Sequence, residues 1–69
     1  MNWERNPPFR NKKDSYTSSE YDLELFEKDG EHFWRLENAD LLIKLGSTDL
    51  VAPDDIEGAW AWAERLINS

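Results

Sequence analysis

The pair Asp29-Gly30, set between two stretches of alternating apolar and polar residues, constrains the fold of this chain more than any other feature. Before it, Tyr21, Leu23 and Leu25 alternate with Asp22 and Glu24, the period of a half-buried strand. Asp-Gly readily supplies the positive φ angles of a two-residue type I′ turn, so residues 32–37 are predicted to return as a second, antiparallel strand. A two-residue loop also dictates the register. Leu25 is set opposite Trp34 and Leu23 opposite Leu36 on one face, while Glu24 meets Arg35 and Phe26 meets Phe33 on the other. A slip by one residue would turn every apolar side chain to the wrong face, so these pairings follow from the pattern as well as from the turn.

Asn38-Ala39-Asp40 reads as a short turn and residues 41–45 as a third strand, with Leu41, Ile43 and Leu45 directed to the core. Leu42 then joins Phe26 and Phe33 on the outer face, forming an apolar patch there. Gly46 to Asp49 is expected to end the strand. Pro53 suits the first position of a helix, and Ala52 before it is held out of helical geometry. Asp54, Asp55 and Glu57 would occupy the first turn, where carboxylates answer the free N–H groups and the helix dipole. Ile56, Ala59, Trp60, Ala63, Leu66 and Ile67 recur at helical spacing, with Trp62 at the edge of the stripe. Gly58 weakens a helix, and close backbone contact is the expected reason for it.

Residues 1–19 read differently. Pro7 and Pro8 remove backbone donors, asparagines and serines favour turns, and no period is sustained, so the stretch is expected to be a flexible, weakly basic arm. Trp3 and Phe9 are the two residues in it that call for a docking place. The expected organisation is thus an arm over 1–19 and a β-β-β-α domain over 20–69. In class it is α+β: a three-stranded antiparallel meander with one C-terminal helix packed on one face.

At 69 residues, with no cysteine, the chain has neither disulfides nor Cys-based zinc sites to supplement a small core. Nine aromatic residues, four of them Trp, raise the surface each residue buries. No apolar run is long enough to span a bilayer and the first ten residues lack the apolar centre of a secretion signal, so a cytoplasmic protein is expected. Charge divides sharply along the chain. Residues 1–19 hold four cations against two acids, a net of +2, whereas residues 20–69 hold thirteen acids against four cations, a net of −9.

These residues supply little for catalysis. His32 is the single histidine, placed opposite Glu27 where an exposed ion pair accounts for it, and there is no thiol to complete a nucleophilic arrangement. The spacing of Asp54, Asp55 and Glu57 matches no calcium loop, and their place at a helix start explains them. No enzyme activity, cofactor or metal is therefore expected. Arg5, Arg10, Lys12 and Lys13 are too few to hold nucleic acid against a body of −9, so direct nucleic-acid binding is not expected, nor is a membrane. Trp34 and Trp60 belong to the core, whereas Trp62 and Trp3 are candidate binding anchors.

Once the acids explained by the turn, the helix start and the Glu24–Arg35 pair are set aside, the candidate partner-binding acids are chiefly Glu20, Asp22, Glu37, Asp40 and Glu64. Phe26, Phe33, Leu42 and Trp62 are the candidate apolar contacts. This constellation leads to the expectation of a non-enzymatic acidic protein-binding module whose partner is a basic, nucleic-acid-binding surface, as for a phage-type inhibitor or nucleic-acid mimic such as an anti-CRISPR protein. The alternative is a small homodimeric structural domain. Residues 21–67 resemble the small YegP-like domains of unknown function in Leu25-Phe26, Asp29-Gly30, Trp34-Arg35-Leu36 and the helix around Ala59. They depart from them at Asn38-Ala39-Asp40 and at residues 50–53. The resemblance implies dimers or tandem repeats, no known catalysis and no functional residues to carry over.

Overall fold

A computed structural model describes residues 1–8 and 12–69, with the backbone alone at 12 and 13. Strands β1 (Glu4–Asn6), β2 (Lys12–Ser18), β3 (Tyr21–Lys28), β4 (Glu31–Asn38) and β5 (Ile43–Thr48) precede one helix, α1 (Ile56–Ile67). The strands form one antiparallel sheet in the order of the chain, β1 to β5.

The β3–β4 hairpin has the register expected from its turn. Leu23 faces Leu36, Glu24 faces Arg35, Leu25 faces Trp34 and Phe26 faces Phe33. Asp29 and Gly30 have φ angles of 55° and 80°, the left-handed values that a type I′ turn requires at both central positions.

The meander has five strands, not three, because the expected flexible arm is part of the sheet. In β2, Tyr16 and Ser18 point to the core face and are buried, Tyr16 being paired with Leu23. The Tyr16 ring meets Trp60 edge-on, 5.6 Å between centroids at 87°. Trp3, just before β1, packs on the core and donates its Nε1 proton to Glu64 Oε2 at 3.1 Å. On the other side of β1, Asn6 Nδ2 donates to Ser15 Oγ and Thr17 Oγ1 at 3.2 and 2.7 Å. The segment is therefore held by side chains on both faces as well as by its ladder. Phe9 and Arg10, and the side chains of Lys12 and Lys13, lie outside the described residues.

The last strand is also displaced from its expected place. It covers Ile43–Thr48 instead of residues 41–45. Leu36 pairs with Gly46 and Glu37 with Lys44, so Leu45 is an extra residue in a β-bulge. Gly46 does not end the strand; it lies under the helix, where a Cβ would come 2.6 Å from Leu66 Cδ2, closer than carbon atoms pack. Leu42 consequently falls in the β4–β5 turn with φ 56° and does not join Phe26 and Phe33 on the sheet. Leu41 and Ile43 are exposed, and of the three residues expected to face inward Leu45 alone packs against the core.

The helix begins at Ile56, three residues after Pro53, because Asp55 caps it and accepts from Gly58 N–H at 3.0 Å. Ala59 and Ala63, one turn apart, are fully buried, and their small side chains let the helix lie close to the sheet. Beneath them Leu23, Leu25, Trp34 and Leu36 are fully buried. Trp34 alone removes about 200 Å² from water, worth about 5 kcal/mol before the entropy of ordering is subtracted. Its Nε1 proton goes to the Ala52 carbonyl at 3.3 Å, which fixes the approach to the helix over β4. None of the described residues belongs to a helix long and apolar enough to cross a membrane.

Candidate recognition surfaces

The face of the sheet away from the helix has no second layer, and its side chains cover one another. One cross-strand row runs Asn6, Ser15, Glu24, Arg35, Ser47; the next runs Glu4, Thr17, Asp22, Glu37, Lys44. Thr17 Oγ1 donates to Asp22 Oδ1 at 3.1 Å. Arg35 is the centre of the arrangement, with its Nη2 at 2.8 Å from Glu37 and 3.5 Å from Glu24. Its guanidinium lies 4.4 Å from the centroid of Phe26, and Phe26 stacks on Phe33 at 5.0 Å with the planes 16° apart. Glu24 is only 3% exposed although it lies on this open face.

Two carboxylates around one guanidinium carry more negative charge than Arg35 neutralises. A hydrogen bond shared with Glu24 is the main reason that Glu37 titrates above its ordinary value of 4.5. Partial burial adds to the rise and the positive charge of Arg35 opposes it.

The sequence-predicted contact residues are thus distributed unevenly. Asp22, Glu37, Phe26 and Phe33 do come together, on the outer face, and are engaged with Thr17, Arg35 and each other. Glu64 is half-buried against Trp3, with one oxygen 3.9 Å from the N-terminal ammonium. Trp62 is half-buried against the core. Glu20 lies in the β2–β3 turn, and a hydrogen bond from the Ser19 hydroxyl at 2.7 Å is the main cause of its lowered pKa. Asp40 is exposed in the β4–β5 turn. That turn is tied to the neighbouring one by Ala39 N–H donating to the Glu20 carbonyl at 2.7 Å.

Other acids are exposed as well, among them those assigned in the sequence to the turn and the helix start. The β3–β4 turn and the β5–α1 connection meet at one end of the sheet, because His32 Nε2 donates to the Val51 carbonyl at 2.8 Å. Glu27 stands opposite His32 across the hairpin, in the register expected from the sequence. Asp29, Glu31 and Asp49 line one open cleft there with Lys28 and Phe33. Asp54, Asp55 and Glu57, at the start of the helix that follows the β5–α1 connection, are exposed too, and Asp54 lines a second open cleft with Arg5 and Asp14. The opposite end of the sheet carries exposed Leu41, Leu42 and Ile43. The molecule therefore has an acidic pole and an apolar pole. The signal for the first was present in the sequence as three separate acidic stretches, but only the contacts of residues 51 and 52 with β4 bring them together.

Among the described residues no three acidic or histidine side chains form a group that could hold a metal ion. No family model matches the chain, and neither the curated proteins nor the solved structures contain a match to it.

Proposed function

We propose that this chain is a non-enzymatic, cytoplasmic, acidic binding module that docks on the basic, nucleic-acid-binding surface of another protein, in the manner of a phage-type inhibitor such as an anti-CRISPR protein. The observation that carries this reading is the gathering of exposed Asp29, Glu31, Asp49, Asp54, Asp55 and Glu57 at one pole. Acids grouped on a rigid end produce a local field stronger than a net charge of −7 spread evenly would, and that field steers a basic surface toward the pole. Docking is assigned to the acids of the pole other than the helix-capping Asp55, and not to Asp22, Glu37 or Glu64, because desolvating a carboxylate that already has an internal partner offers less gain than pairing an exposed one.

The test is capture from native lysate by the immobilised full chain, washed at about 50 mM and then about 0.5 M salt. Basic, nucleic-acid-associated proteins are expected to bind and to be released by the second wash. Asp49→Asn, Asp54→Asn and Glu57→Gln combined should abolish their capture. A captured set without such proteins, or one unchanged by the combined variant, refutes the proposal.

A further inference from the structure

We infer that β5 is a self-complementary edge through which two copies of this chain pair antiparallel into one continuous sheet. The two edges of the sheet differ. β1 is three residues long and is followed by Pro7-Pro8, features that discourage strand addition. β5 is six residues long and, among the described residues, has no strand beyond it.

What marks this edge for a second copy is the distribution of apolar exposure along it. Leu41, Leu42 and Ile43, at one end, are 65%, 85% and 47% exposed, and Leu50, at the other, is 92% exposed. Of the six large apolar residues exposed among those described, three therefore flank one edge strand and a fourth, Ile43, begins it. Antiparallel pairing about a two-fold axis between Leu45 and Gly46 sets Ile43 opposite Thr48 of the partner subunit. In that register Leu41 and Leu42 lie against Leu50 and Asp49 of the partner subunit. Each apolar end thereby covers the other end of its partner, as an isologous interface requires.

Charge agrees with this orientation. Lys44 is the one charged residue of β5, and such a lysine on an edge normally deters association. Here it lies opposite Ser47 and diagonal to Asp49 of the partner subunit, so each copy contributes one attractive cross-strand pair. Antiparallel pairing also places the acidic pole of one copy beside the apolar pole of the other, keeping the two acidic poles apart. A parallel arrangement would set the acidic poles side by side.

Sedimentation of the full chain from about 10 µM to about 1 mM tests this, because a dimer of this kind responds to concentration. The mass should rise from one chain to two, and the dimer should survive about 0.5 M salt, which releases a partner docked on the acidic pole. Leu42→Asp, at an exposed position, should raise the dissociation constant about tenfold or more. Lys44→Glu and Asp49→Lys should each weaken the dimer, and the two together should restore it. A monomer at every concentration overturns the inference, as does a dimer indifferent to Leu42→Asp. Failure of the charge swap to restore association overturns this register. Circular dichroism of each variant verifies that the monomer remains folded.

Discussion

Gly58 lies in the first turn of α1, three residues after the cap, where glycine has no evident conformational use. Its N–H is held by Asp55 Oδ1 at 3.0 Å, and a Cβ built on it would lie 2.6 Å from Asp55 Cγ. The cap and the glycine therefore require one another, and the magnitudes follow. Replacing Asp55 by Ala removes the cap at a cost of about 1 kcal/mol. Gly58→Ala gains about 1 kcal/mol of helix propensity, but its methyl pushes the carboxylate off the N–H and loses about the same amount, so the net change is near zero. In the Asp55→Ala background nothing remains to displace, and Gly58→Ala should then stabilise by the full ~1 kcal/mol. The coupling energy of the cycle is thus about 1 kcal/mol.

Urea unfolding followed by tryptophan fluorescence resolves this. At a slope of about 1 kcal/mol per molar, Asp55→Ala should lower the midpoint by about 1 M, Gly58→Ala should leave it nearly unchanged, and the double variant should return close to the starting value. If Gly58→Ala shifts the midpoint equally in both backgrounds, the steric account of the glycine is wrong.

Further outcomes follow from the core, the first two strands and the outer face. Leu25 is fully buried, so Leu25→Ala should cost about 3 kcal/mol and lower the melting temperature by more than about 10 °C, measured by calorimetry. Removing residues 1–18 deletes β1 and β2, uncovers the edge of β3 and takes Tyr16 from Trp60; the remaining chain should lose its cooperative thermal transition, whereas a sharp transition would show that β3 to α1 fold alone. Because Glu37 has a raised pKa in the folded chain, the folded state holds its proton more tightly than the unfolded state does. Its contribution to stability is present below 4.5 and is lost as pH rises through the folded value, so Glu37→Gln should flatten that part of the stability–pH profile in urea titrations.

The parts of the fold legible in the sequence are those where turn chemistry and side-chain period agree. Asp29-Gly30 and the alternation around it fixed four cross-strand pairs. β2 was hidden because its inward positions, Asp14, Tyr16 and Ser18, include one apolar residue only, which leaves no alternation to detect. Its turn into β3 was equally silent, since Ser19 adopts φ 56° without the glycine that usually announces such a value. Trp3 was the better clue: a large aromatic in a polar segment needs a home, and Glu64 and the core provide it. The displacement of β5 has another cause. Five consecutive apolar and amphipathic residues from Leu41 to Leu45 look like one strand, but neither the bulge at Leu45 nor the left-handed Leu42 is encoded by a local signal. At the helix, Pro53 and Asp55 both mark a start, and the carboxylate that captures an N–H prevails over the residue that merely suits the first turn.

Where binding is available on this molecule follows from how its two sheet faces are closed. The helix occupies one. The other carries rows of side chains that engage one another and leave Glu24 only 3% exposed, so most of its acids and aromatics already have partners, Phe33 staying 38% exposed. A sheet covered by a helix on one face and by mutually paired side chains on the other offers its ends and its edges. The ends differ in chemistry, acidic at the β3–β4 turn and apolar at the β4–β5 turn, and β5 connects them. A charged partner and a second copy would therefore use separate surfaces, and they would respond oppositely to salt: ionic docking weakens as salt rises, while pairing through backbone and apolar contacts persists. A dimer and a docked basic partner could thus coexist, with two acidic poles presented at opposite ends of one sheet. Such an arrangement would bind a two-fold repeated basic surface far more tightly than either pole alone.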